Sequence, residues 1–171
     1  MPKRTTHPDP APVQSQGSAL LFLDKEGRWF HEGVEITHGR TRLLFSKNIR
    51  RDPAGKYYVR VGPESAEVIV EDAPYTITSV TLQEEPHGPP RGYILHLNDE
   101  TQEPLESGSL AVSEENVMYC RVKGGADRAR FLRAAYYQIC AKLEYDEAGD
   151  RYWLPCSDRQ ITVHRDGTAN R

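Results

Sequence analysis

The chain has 171 residues, enough for one domain of ordinary size or for two small halves around a shared core. Its apolar fraction of 37% can fill such a core, while a net charge of −3 and a pI of about 6.1 give no bulk attraction to nucleic acid or to an anionic membrane. The longest purely apolar run, Ala19 to Leu23, is too short for a bilayer span or a signal-peptide core, which favours the cytoplasm.

Residues 1–18 are proline-rich and almost free of apolar side chains, and read as a flexible tail. Leu21 to Asp24 reads as a strand, and Asp24 to Gly27 as a turn with Gly27 at its positive-φ position. Arg28 to His31 and Val34 to Ile36 read as two more strands, joined by a tight turn at Glu32-Gly33. A short helix follows, with Thr41 as N-cap, Leu44, Phe45 and Ile49 on one side, and Lys47, Arg50 and Arg51 suiting its C-terminal dipole. Asp52 to Gly55 turns the chain, with Gly55 left-handed, and Lys56 to Val61 pairs with Ala66 to Asp72 as a hairpin. From Ala73 to Val122 the chain is mostly strand, broken at His87 to Gly92 and closed by Lys123-Gly124-Gly125.

Ala126 to Tyr145 carries the strongest helical pattern. Leu132, Ala135, Tyr136, Ile139, Cys140 and Leu143 fall on one face, and Asp127 sits where an N-cap belongs. A turn at Tyr145 to Gly149, a hairpin over Asp150 to His164 and a polar tail complete the chain. The two turns repeat each other: Asp52, Ala54, Gly55 and Tyr58 recur as Asp146, Ala148, Gly149 and Tyr152, each set after a helix and before a hairpin. This predicts an internal repeat of strand, helix and hairpin. Residues 34–70 and 117–163 should superpose, with Gly55 and Gly149 both at positive φ. The fold class is α+β: two small halves sharing that motif, mostly antiparallel sheet with two main helices. The divisions are a tail at 1–18, an N-terminal half at 19–83 and a C-terminal half at 84–171.

The same residues carry a family likeness. Gly27 to Ile36, Leu43 to Phe45, Arg51-Asp52, Gly55 to Val59 and Val70 to Tyr75 resemble the bacterial domain-of-unknown-function family DUF1285, as do Val122 to Gly125, Arg133 and Tyr136-Tyr137. The likeness spans roughly 20–155, and Glu71 to Tyr75 is its most specific stretch. Ala126-Asp127 departs from it, since the family often has Leu after the glycine pair. The resemblance implies a cytoplasmic bacterial α+β protein of two halves with a repeated motif, and a signalling or ligand-binding role without an assigned activity.

Catalytic patterns are absent. No G-x-S-x-G, phosphate-loop or dinucleotide fingerprint occurs, so no cofactor is expected. His31 and His38 have no metal-ligand spacing, and Cys120, Cys140 and Cys156 form no C-x-x-C pair, so no metal is expected and the cysteines read as free thiols in a reducing compartment. Glu71 and Asp72 point to opposite faces of a strand, which leaves Asp72 as an Asx-type acceptor of backbone N–H groups or a partner of Arg133 across the halves. Arg128, Arg130 and Arg133 fall on the second helix, with Arg133 beside Tyr137. Trp29, Tyr57, Tyr58, Tyr136, Tyr137 and Trp153 read as core, both tryptophans mainly buried. The polar set the fold leaves over is Gly124, Gly125 and Arg128 at a helix N-terminus, with Arg133 and Asp72 nearby. It suits a small anionic ligand or an acidic protein partner. The function expected is a non-catalytic small-ligand or protein-binding module with a role in signalling; the alternative is a small hydrolase-like enzyme with a polar site between the halves.

Overall fold

The computed structural model describes residues 20–165; the tail expected over 1–18 and residues 166–171 lie outside them. β1 (Leu20–Leu23), β2 (Trp29–His31) and β3 (Val34–Glu35) form an antiparallel meander. Asp24 shapes its first turn: Oδ1 accepts from the amides of Glu26 and Arg28 at 3.0 and 2.8 Å, and Gly27 takes φ 79° as expected. Helix α1 (Gly39–Asn48) runs directly into β4 (Ile49–Arg51), which turns through Gly55 at φ 86° into β5 (Tyr57–Val61) and β6 (Glu64–Val70). β6 returns parallel to β1, so the first sheet has the order β3-β2-β1-β6-β5-β4.

A second sheet begins at β7 (Tyr75–Gln83) and continues through β8 (Gly92–Leu97), β9 (Gln102–Pro104), β10 (Ala111–Val112), β11 (Met118–Val122) and β12 (Asp127–Phe131). Helix α2 (Arg133–Cys140) then packs on β7 and β12. β13 (Glu144–Asp146), β14 (Arg151–Pro155) and β15 (Gln160–Thr162) make a small third sheet, and β16 (His164–Arg165) joins the second, whose order is β16-β10-β11-β12-β7-β8-β9. A bulge between Ile77 and Ser79 frees the Val80 amide, which donates to Gln138 Oε1 of α2 at 2.7 Å. One apolar cluster joins the units. Trp29, Leu23 and Ile49 meet it from the first sheet, Ile77 and Leu95 from the second, Ile139 from α2 and Leu154 from the third. Each such side chain contributes roughly 1.5–3 kcal/mol by leaving water.

The mainly-β α+β class is as expected. Several particulars are not. Asp127 to Phe131 is strand, not the start of a helix, because Ala129 and Phe131 fill an inward-facing slot between β11 and β7. Tertiary pairing overrides the helical propensity of Ala and Arg there. Asp127 is therefore no N-cap; α2 starts behind Leu132, which makes no side-chain cap bond. His38, not Thr41, caps α1: its Nδ1 accepts from the Thr41 amide at 3.4 Å. Leu44 is exposed rather than packed, and Ile49 is buried as the first residue of β4 rather than on α1.

The order helix, strand, turn, strand, strand does occur twice, but the turns differ. In the first, Arg51 pairs with Tyr57; in the second, Asp146 pairs with Arg151, so the loop is one residue shorter. Gly149 does not take positive φ; the left-handed position moves to Asp150 at φ 45°. The sheets also change over at residues 71–74, ahead of β7, and not at residue 83. Trp29 is fully buried, whereas Trp153 is only partly buried and Tyr137 is 57% exposed.

Candidate functional site

The glycine pair sits elsewhere than a helix entry. Gly124 and Gly125, at φ 65° and 85°, form the turn between β11 and β12 behind Lys123, itself at φ 56°. Arg128 and Arg130 stand on β12, and α2 begins only at Arg133. The dipole argument for an anion at the 124–128 corner therefore has no helix beneath it. Arg128 lies over the Tyr119 ring, 3.5 Å from its centroid.

Asp72 is held by side chains and not by a backbone turn. Tyr119 donates its hydroxyl to both carboxylate oxygens at 2.9 and 3.1 Å, and Arg130 Nη1 donates to Oδ2 at 2.7 Å. Its cationic partner is thus Arg130, not Arg133. Burial and then the Asp72 carboxylate push the Tyr119 phenol up. The backbone acceptor is the neighbouring Glu71, whose Oε2 receives the Lys25 amide at 2.8 Å. Arg133 lies over the Tyr137 ring at 5.8 Å, as its spacing of four residues requires. The structure brings Asp72 and Arg128 to one neighbour, Tyr119, and leaves Gly124-Gly125 on a hairpin turn and Arg133 on α2.

A second polar cluster is consumed by the fold. Lys123 Nζ meets Asp99 Oδ2 at 2.8 Å, Thr101 Oγ1 at 2.6 Å and Glu103 Oε1 at 3.2 Å, over the Tyr75 ring. Burial raises the Asp99 carboxyl, but hydrogen bonds from Lys123 and Thr101 outweigh it and hold it below its ordinary range. Burial, with the Asp127 and Asp99 charges, pushes the Tyr75 phenol up to about 12.

A further polar set lines a cleft of about 490 Å³ where α1 faces the second sheet. Gly27 and one side of α1 form one wall; Thr78 of β7 and the β8–β9 turn at Asn98 and Glu100 form the other. The fully buried side chain of α1 is polar, Ser46. Its Oγ accepts from Trp29 Nε1 at 3.1 Å and from Asn98 Nδ2 at 3.4 Å, while Asn98 Oδ1 accepts the Thr76 amide at 3.1 Å. This string ties the first half to the second. Beneath the wall, the buried Thr76 Oγ1 has no partner among the described residues, and a Cβ on Gly27 would come within 2.9 Å of it. Contact and positive φ together make that position a glycine.

Arg40 and Arg42 line the cleft from the start of α1, both exposed and neither in an ion pair among the described residues. Sequence reasoning missed these residues. One signal pointed to them: arginines in a first helical turn oppose the dipole. Among the described residues no cluster of metal-ligating side chains occurs, and no helix is long and apolar enough to cross a membrane.

No family model and no curated protein matches the sequence. Two solved structures do match in shape. One is a DUF1285 family protein from Silicibacter pomeroyi DSS-3, with 18% identity, a TM-score of 0.65, and cover of 97% of this chain and 93% of that one. The other is a DUF1285 family protein from Shewanella baltica OS155, with 19% identity, a TM-score of 0.55, and cover of 72% of this chain and 91% of that one. The chain has a DUF1285-like fold.

Proposed function

We propose that this chain is a non-catalytic binding module whose small ligand sits in the cleft between α1 and the second sheet. The carrying observation is that this roughly 490 Å³ space draws its walls from both halves and is lined by Arg40 and Arg42, which make no ion pair among the described residues. Its size suits a small molecule better than a flat protein contact. The hydrolytic alternative is disfavoured by Ser46, whose Oγ is held by two N–H donors with no general base against it. An occupant would bear on how α1 sits against the β8–β9 turn, which is the coupling a signalling module needs. A bacterial cytoplasmic setting belongs to the same proposal, supported by three free cysteines. So does descent of the two helix–hairpin units from one motif, supported by their shared order of elements.

A fragment panel followed by amide NMR tests the cleft. Shifts should cluster at Gly27, Gly39 to Ser46, Thr78 and Asn98, and should vanish in Thr78→Trp, which fills the space from an exposed strand position. Responses confined to other surfaces, or shifts indifferent to Thr78→Trp, would sink the reading.

A further inference from the structure

We infer that the cleft receives the anionic end of its ligand, a carboxylate or a phosphate, against Arg40 and Arg42. The inference rests on the small-ligand reading above and names its chemistry. A census of donors and acceptors on the lining carries it. Each guanidinium presents five N–H donors and no acceptor, and neither Arg40 nor Arg42 spends one on a carboxylate within the described residues. Both belong to the first turn and a half of α1, where the dipole works against cations and in favour of negative charge.

Deeper in, Ser46 is 3% exposed. Two N–H donors already occupy its lone pairs, so its own proton must seek an acceptor, and the described residues offer none. Asn98 gives one amide hydrogen to Ser46 and keeps a second. The charged acceptor on the lining is Glu100, and Lys47 sits 3.3 Å from it. A surface with this surplus of donors is matched by an acceptor-rich guest; a cation would meet two guanidinium groups, and a neutral guest would leave them without charge-assisted bonds. The cleft is larger than a lone inorganic ion fills, a water's share of liquid being roughly 30 Å³, and leaves room for an anion that is one end of a larger molecule.

The test uses the full chain with Trp153→Phe, leaving Trp29, bonded to Ser46, as its one indole. Emission is followed while butyl phosphate, pentanoate or uncharged pentanamide is added. Saturable change is expected with one or both anions and not with the amide; which anion responds separates phosphate from carboxylate. Arg40→Gln/Arg42→Gln should weaken the anion response at least tenfold with Tm unchanged, because both side chains are exposed. A response that survives the double substitution overturns the inference, and so does silence toward both anions. If neutral fragments still shift the cleft amides by NMR while the anions are silent, the binding reading stands and only its anionic chemistry falls.

Discussion

The two helix–hairpin units use their helices in opposite ways. α2 presses Ala135 and Ile139, both fully buried, against β7 and β12. α1 turns Ser46 inward, leaves Leu44 exposed, and delegates its apolar contact to Phe45, which meets Trp29 edge-on at 5.4 Å. Apolar contacts close until atoms touch. A buried hydroxyl instead stops its neighbours at hydrogen-bond distance and demands partners. The cleft lies under the helix with the polar inner face, and none of its lining comes from α2.

The sharpest way to break this contrast is at the tryptophans. Trp29→Ala should cost roughly 4 kcal/mol, since a fully buried ring and its bond to Ser46 are both lost. Trp153→Ala should cost about half of that. Equal losses in urea unfolding would mean that the first unit does not hang on its indole. Next come the helices themselves. Ile139→Ala is expected to cost roughly 3 kcal/mol through a cavity. Ser46→Ala is expected to cost about 2 kcal/mol by stranding the Trp29 N–H. A neutral Ser46→Ala would show that the polar face is not what holds α1.

A control lies in the second sheet, outside both helices. Asp99→Asn should cost about 1.5 kcal/mol at neutral pH by weakening charge-assisted bonds to Lys123 and Thr101. The folded Asp99 carboxyl titrates below its ordinary value of 3.8, so its contribution is complete above that value and is lost as pH falls through the folded one. The gap between wild type and variant should therefore shrink on acidification from pH 7 to about pH 3; a gap that widens contradicts the pairing. The smallest contrast is at the turns. Gly55→Ala forces a left-handed alanine and should cost about 1 kcal/mol. Gly149→Ala keeps an ordinary φ and meets only side-chain atoms, the ion pair of half-buried Asp146 with Arg151, and should stay within about 0.5 kcal/mol. Matching losses would restore the equivalence of the two turns.

Local signals were read well where local chemistry decides the outcome. Gly27 and Gly55 turn left-handed because the Asp24 and Asp52 carboxylates cap the amides beyond them. The meander, the hairpins and the Arg133–Tyr137 contact followed from spacing alone. What stayed hidden depends on partners far along the chain. Ala-Asp-Arg-Ala-Arg-Phe satisfies a helix and a strand equally, and only the open place beside Tyr75 to Ile77 decides between them. The same holds for the cleft: Arg40, Ser46 and Asn98 lie on segments whose meeting is a property of how the sheets dock, while Gly124, Gly125 and Arg128 looked like a site only as long as a helix stood behind them.

The position of β12 also orders events in time. The second sheet cannot close until residues 127–131 arrive to lie between β7 and β11, with Ala129 beside Tyr75. A growing chain therefore carries β7, with Tyr75, Ile77 and Val80 along it, as an unpaired edge on the β12 side through the making of the next several strands. Long-range parallel pairing of this kind is slow, and an apolar edge left waiting recruits strangers. The interval between the synthesis of β7 and of β12 leaves that strand edge waiting for its partner.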